Sequence, residues 1–370
     1  MGGWKLEVFR MTSYVALPIV CFYLFNKPEY FKDYLIRKKR YYFSNEDPDA
    51  LINYCKIMSS NSRLPPNPSF ILQNSKPVNS ILFSKYNKQL LFSGNRNGDL
   101  NIYSLSYRRS IFSANPNSEA VLGISEIDQD TFLTHSRNGQ IFKWTKQDEN
   151  SWTFMCIYQK EAYTFCQFLL SYDKNLVFIP SSEPGVVDVL SLDELKISYQ
   201  IKPVPNSKRG MIMCMKQIEK NFILCGYENG EVALFDGLNE KAQIDLFNGE
   251  PVLSFDFCPS KQIGIAGSSG SELKQFTLRN KSGLLELELT ASIQFTNPGV
   301  NSVKIRPSDS LLVSCACWDS RIRLLSLKKL RLLVVLDFHK EAINSLDFSQ
   351  DNTLVSGSSD GFIAIWDIYK

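Results

Sequence analysis

Little in this sequence is equipped for chemistry. Two histidines serve 370 residues, and no Walker-type Gly-Lys-Ser/Thr, GxSxG, HExxH or dinucleotide-binding glycine fingerprint occurs. Charge of one sign is lacking as well. The formal net charge is +3; nine Lys and Arg against six Asp and Glu fall at or before Ile57, which leaves 32 of each sign in the remainder. A neutral bulk has no broad positive field for non-specific nucleic-acid binding, so no nucleic-acid partner is expected. None of the nine cysteines forms a CxxC pair. Cys315 and Cys317 fall on one face of a strand, but a metal site needs further ligands nearby. The thiols are therefore read as small core hydrophobes in a reducing compartment, cytosol or nucleus. No metal, cofactor or catalytic residue is expected. Long hydrophobic runs are missing too. The longest apolar stretch, Val15 to Phe25, holds eleven residues, contains Pro18, and falls short of the roughly 20 that span a bilayer.

What is present is repetition. From Pro77 onward one pattern recurs seven times: apolar strand, polar turn, apolar strand with a Gly/Ser pair, tight turn, third strand ending in a large apolar residue. Three copies open PVNSILF, GVNSVKI and AINSLDF. The tight turns carry Asn97-Gly98, Asn138-Gly139, Pro184-Gly185, Asn229-Gly230, Ser269-Gly270, Asp319-Ser320 and Asp360-Gly361. They recur every 40 to 50 residues, the spacing of a four-stranded propeller blade, and read as two-residue hairpin connections. The strands are rich in Val, Ile, Leu and Phe, and helical periodicity is missing from this part. The last copy ends at Asp367 with only three strands. Ser69 to Leu72 is expected to lend it the fourth, which closes the ring and removes its open seam. The expected architecture is all-β: a seven-bladed propeller over 69–370, a linker over 58–68, and a helical or disordered extension over 1–57.

The seventh copy, HKEAINSLDFSQDNTLVSGSSDGFIAIWD, resembles an intact WD40 repeat. By that resemblance His339, Ser356, Asp360 and Trp366 form the hydrogen-bonded structural tetrad of such repeats. Repeat two keeps Thr134, Asn138 and Trp144 without a leading His, and Trp366-Asp367 is the sole WD pair ending a third strand. The stretches PPNPSFIL, GMIMC, CGYENGEVALFD, FTNPGVNSVKIRP and WDSRIR resemble the G protein subunit beta-like protein 1 family, whose fungal relatives are called ASTRA-associated protein 1. The resemblance implies a cytoplasmic and nuclear adaptor tied to the chaperone assemblies that mature phosphatidylinositol 3-kinase-related kinases, and in fungi to a chromatin-associated complex. Its partners are then other proteins, co-chaperone or kinase-maturation assemblies. A G protein γ subunit is not expected, because residues 1–76 show no sustained a/d heptads of the kind that pair with γ.

Residues 1–57 are a different kind of sequence, with an apolar segment over 11–25 and a basic cluster over 37–40. KLEVFRMTSYVALPIVCFYLFNKPEYFKDYLIRKKR resembles the start of the mitochondrial cytochrome c oxidase assembly chaperones of the Pet-hundred type. The juxtaposition is expected to reflect read-through or a gene-model fusion of two neighbouring reading frames. The alternative is a genuine anchor with a mitochondrial inner-membrane address.

His339, Ser356 and Asp360 have the residue types of a hydrolase triad, but the repeat already assigns them to a buried network. His135 is read as a surface or satisfied core residue, and SSGSEL over 268–273 as a hairpin turn rather than a phosphate cradle. Binding is expected on loops ringing the channel mouth. The candidates are Arg209 and Met211 before repeat four, Asn297 and Pro298 before repeat six, and Trp318 and Arg321 at its tight turn. Trp and Arg are favoured interface anchors.

Overall fold

The computed structural model describes residues 66–369, apart from 75, 161–162 and 206. The chain divides into two compact units, 1–51 and 52–370. The expectations placed on 1–57, and most of those on 58–68, lie outside the described residues. The second unit is a seven-bladed β-propeller: seven four-stranded antiparallel sheets, with no helix among the described residues. The first, innermost strands of blades 1 to 7 are Val78–Phe83, Val121–Glu126, Leu169–Leu170, Ile212–Gln217, Val252–Cys258, Val300–Ile305 and Ile343–Phe348. Blade 7 takes its outer strand, Phe70–Gln73, from the start of the ring. That strand pairs Phe70 with Ile365 and Gln73 with Phe362, and the Ser69 N–H adds a bond to the Ile365 carbonyl at 2.7 Å. Leu72 drives the pairing, because it is buried in one cluster with Val78, Ile81, Val355 and Ile363.

Neighbouring blades pack through their second strands. The Gly of the Gly/Ser pairs sits where the next blade comes closest: a Cβ at Gly357 would lie 2.6 Å from Val78, and one at Gly267 would lie 2.7 Å from Val300. Any larger residue would push the blades apart. The inner strands are also stitched directly. Ser345 Oγ and Asp347 Oδ2 accept the N–H groups of Ile81 and Phe83 across the 7–1 boundary. Ser254 Oγ and Asp256 Oδ2 do the same for Val303 and Ile305 across the 5–6 boundary.

The tight turns differ from the two-residue connections expected. In blade 1 the ladder stops at Asn95, whose N–H bonds to the Asp99 carbonyl, so three residues, Arg96, Asn97 and Gly98, form the loop. Only its third position adopts positive φ, at +88° for Gly98, +83° for Gly139, +93° for Gly230, +65° for Ser320 and +80° for Gly361. This is a type I turn followed by a left-handed residue, the common three-residue hairpin. The Asx side chain of the dipeptide prefers the right-handed conformation here because its carboxylate or amide oxygen caps the following N–H, as Asp360 does for Phe362. The register change frees one extra residue per turn, and that residue builds the rim described next.

Candidate functional site

Polar clasps hold blades 2, 3, 4, 6 and 7. In blade 7, His339 Nε2 lies 2.8 Å from Ser356 Oγ, Trp366 Nε1 donates to the same hydroxyl at 2.9 Å, and His339 Nδ1 lies 3.0 Å from Asp360 Oδ2. Burial raises the Asp360 carboxyl, but hydrogen bonds from His339, Lys340 N–H and Phe362 N–H outweigh it and hold the group at about 2. In blade 2, Trp144 Nε1 donates to Thr134 Oγ1 at 2.9 Å. Blades 3, 4 and 6, which lack the WD40 residues, substitute ion pairs. Lys160 meets Asp188 at 2.7 Å in blade 3; Arg209 meets Glu231 and Glu240, each at 2.7 Å, in blade 4. In blade 6 the fully buried Arg323 forks onto Asp319 at 2.8 and 3.0 Å and lies 4.8 Å from the Phe295 ring centre. In blade 3 the pair joins the connection entering the blade to its third strand, in blade 4 the pairs join it to the third and outer strands, and in blade 6 the pair joins the third strand to the tight turn.

Two sets of side chains lie on this face, and four of the rim residues, Arg96, Arg137, Trp318 and Ser359, line the channel. The rim consists of the residue that follows each second strand: Arg96, Arg137, Ser181, Glu228, Ser269, Trp318 and Ser359. Their equivalence is visible in the backbone. The N–H groups of Arg96, Arg137, Glu228, Trp318 and Ser359 bond to the carbonyls of Pro77, Ala120, Met211, Gly299 and Ala342, each just ahead of its blade's first strand. Below the rim, six first strands carry a bulge at the same place, between Val78 and Ser80 and at the matching positions of blades 2, 4, 5, 6 and 7. A bulge re-aims one side chain, and the six unpaired residues all line the channel: Asn79, Leu122, Met213, Leu253, Asn301 and Asn344.

The channel is two-sided. Across blades 6, 7 and 1 the asparagines form a relay: Asn301 Nδ2 donates to the Ile343 carbonyl at 3.1 Å, Asn344 Nδ2 to the Val78 carbonyl at 2.7 Å, and Asn79 Nδ2 to the Val121 carbonyl at 3.1 Å. Across blades 2, 4 and 5 the same positions are Leu122, Met213 and Leu253. Trp318 is 44% exposed, lies flat against Gly299 where any Cβ would strike its ring at 2.0 Å, and donates Nε1 to Asn301 Oδ1 at 2.5 Å. Phe165, 54% exposed, stacks under the Arg137 guanidinium at 4.7 Å. The cavity so enclosed is about 570 Å³. Deeper in, Lys216 and Asp256 form a 2.8 Å pair; Asp256 raises Lys216, while burial, which would raise Asp256, is outweighed by Lys216 and Lys304. A second pocket of about 270 Å³ opens beside the mouth between blades 3 and 4, lined by Tyr163, Pro180, Pro184 and Met211 among others.

Of the partner-binding candidates, Trp318 is at the mouth, Met211 lines the second pocket, and Pro298 is exposed. Arg209 is not at the surface: it is 3% exposed, held by Glu231 and Glu240, and faces the Tyr227 ring at 5.2 Å. Its place as a partner contact is corrected to an internal clasp, since a desolvated guanidinium needs such fixed acceptors. Asn297 likewise spends its amide on Asp319, at 3.0 Å. Arg321 leans across the sheet to Asp337 at 3.5 Å and takes no part in the cavity wall. His135 is fully buried, accepts the Phe168 N–H at Nδ1, leaves Nε2 without a hydrogen-bond partner, and is lowered by burial to about 4. Cys315 and Cys317 pack in one apolar cluster, where burial pushes both thiols up. Sequence reasoning missed Arg96 and Arg137. The signal was available, because each directly precedes an Asn-Gly turn at the repeat position Trp318 occupies.

The WD domain, G-beta repeat family matches residues 288–326 and 330–367, and the Pet100 family matches residues 1–63. The guanine nucleotide-binding protein subunit beta-like protein 1 of Mus musculus is 30% identical over 322 residues, covering 82% of this chain and 97% of that protein. The ASTRA-associated protein 1 of Schizosaccharomyces japonicus is 25% identical over 369 residues, 82% of this chain and 99% of that protein. At the other end, the protein PET100 homolog, mitochondrial, of Sus scrofa is 47% identical over 47 residues, 13% of this chain and 62% of that protein.

Proposed function

The chain belongs to the guanine nucleotide-binding protein subunit beta-like protein 1 family, and from that premise we propose that it is a non-catalytic adaptor serving chaperone-assisted maturation of phosphatidylinositol 3-kinase-related kinases or a chromatin-associated complex, in cytoplasm and nucleus. The observation that carries the adaptor reading is the channel mouth. Seven four-stranded blades closed into a ring hold exposed Trp318 and Phe165, with Arg96 and Arg137, on one face. Rigid display of aromatic and arginine side chains supports protein recognition, because little conformational entropy is lost on docking. The Ser356, His339 and Asp360 group is turned inward, its serine hydroxyl already shared between His339 and Trp366. Depleting the protein should lower several of these kinases together while their messages stay constant. Unchanged kinase levels would remove the kinase reading.

A second reading rests on the Pet100 match: a mitochondrial inner-membrane cytochrome c oxidase assembly factor acting through residues 1–57. Sequencing the N-terminus of the endogenous protein separates the two. A mature start at Met58 or Ser59 eliminates the mitochondrial reading.

A further inference from the structure

We propose that the channel mouth receives an acidic segment of a partner protein, its carboxylates over blades 1 and 2 and one large apolar side chain in the pocket between blades 3 and 4. The inference rests on the adaptor reading and supplies the chemistry of its partner. Four of the five charged residues lining the cavity are basic: Arg96, Arg137, Lys216 and Lys304 stand against Asp256. The acid is already neutralised by Lys216 at 2.8 Å and by the Ile305 N–H. Arg96 is exposed and makes no side-chain hydrogen bond or ion pair with a described residue, and the Arg137 guanidinium lies over the Phe165 face. An excess of positive charge gathered in one concave place, on a propeller whose charges nearly balance as a whole, attracts negative charge by field focusing.

The apolar half of the site adjoins the charged half. Tyr163, 74% exposed, lines the second pocket, and Phe165 two residues on lines the channel. An extended segment that lays a carboxylate near Arg137 therefore passes Phe165 before reaching Tyr163, Pro184 and Met211. The acid Glu228 stands on the blade 4 rim and is bound to the Met211 N–H at 3.0 Å. It disfavours carboxylates on that side, which sets the direction of the segment: acid toward blades 1 and 2, apolar anchor toward blade 4.

The test uses the full-length chain and a fluorescent Glu-rich peptide carrying one Trp, read by anisotropy at low and moderate salt. Binding is expected, weakening with salt, and falling about tenfold when Glu is replaced by Gln in the peptide or when Arg96→Glu and Arg137→Glu are combined in the protein. Met211→Ser, which removes the apolar contact without adding charge, should lower affinity for the Trp peptide while leaving the affinity for its Ala counterpart unchanged. Lys88→Glu reverses a single charge on a loop joining first to second strand, at the far end of the blade, and should leave binding unchanged. Each variant is compared by its unfolding curve, so a fold defect is separated from a site defect. No binding of the Glu-rich peptide, equal binding of the Gln peptide, or equal loss with Lys88→Glu would overturn the proposal. So would tighter, competing binding of a single-stranded oligonucleotide that also needs Arg96 and Arg137. If the double variant loses the peptide yet restores kinase levels in depleted cells, the partner chemistry fails and the adaptor role stands. Peptide binding as expected, with kinase levels insensitive to depletion, separates them the other way.

Discussion

Asp360 and His135 both make the propeller acid-sensitive, though by opposite physical causes. Asp360 is held low by the hydrogen bonds it accepts, so its contribution is complete above the ordinary carboxylate range and is lost as pH falls toward about 2. His135 is lowered to about 4 by burial alone. The unfolded chain then takes up a proton from about pH 6.5 downward that the folded chain refuses until about pH 4. On the order of 3 kcal/mol of stability is lost across that window. His135→Gln keeps an acceptor for the Phe168 N–H and removes the titration. Its urea midpoint should change little between pH 7 and pH 5, whereas that of the parent should fall. Ser356→Ala strands two buried donors or acceptors, His339 Nε2 and Trp366 Nε1, and should cost about 1–3 kcal/mol in urea unfolding. The blade 7 residues were legible because one repeat retained the full motif. His135 was not, since a histidine in a strand says nothing of whether its second nitrogen meets a partner.

At the scale of the turn, the decisive feature is the third loop residue. Ser320 occupies the left-handed position at φ +65° that glycine takes in blades 1, 2, 4 and 7. Ser320→Gly should therefore stabilise the protein, by up to about 1 kcal/mol, measured by thermal or urea unfolding; a loss would show that its hydroxyl contact outweighs the strain. Gly98→Ala should destabilise clearly more than that, because its Cβ would stand 1.8 Å from the Asn117 carbonyl oxygen besides carrying the unfavourable φ. The Asn-Gly dipeptides announced a hairpin but not its length. Two- and three-residue connections share these residues, and the register of the strands across the turn chooses between them. Only with that register does Arg96 or Arg137 become a rim residue. The bulges at Asn79, Leu122 and their counterparts were hidden for the same reason: a bulge is a mismatch between two strands, invisible in either alone.

Closure of the ring belongs to the molecule as a whole. Phe70–Gln73 is bonded to blade 7, and Leu72 is buried between blades 7 and 1. A chain trimmed to start at Pro66 should unfold cooperatively, near the parent midpoint. One trimmed to start at Asn74 should lose several degrees or fail to fold, as the first and last blades part. Survival of the second chain at full stability would mean that side-chain packing closes the wheel without the strand. The membership of this chain in a G protein beta-like family invites a test of γ pairing. No stable γ subunit is expected in a pull-down with the full-length chain, since the sequence before the propeller lacks the heptads such pairing uses.

Blade count, the closing strand and the blade 7 tetrad were written in the sequence, because each is a local pattern repeated at a fixed period and repetition survives without knowledge of contacts. Which arginines stand open at the channel was decided in three dimensions. Arg209 and Arg96 are alike as letters in a loop, yet one lies against Glu231 and Glu240 and the other stands free at a channel. The difference is electrostatic: a guanidinium goes inside only where folded neighbours bring carboxylates to it, and those neighbours are set by packing across the sheet.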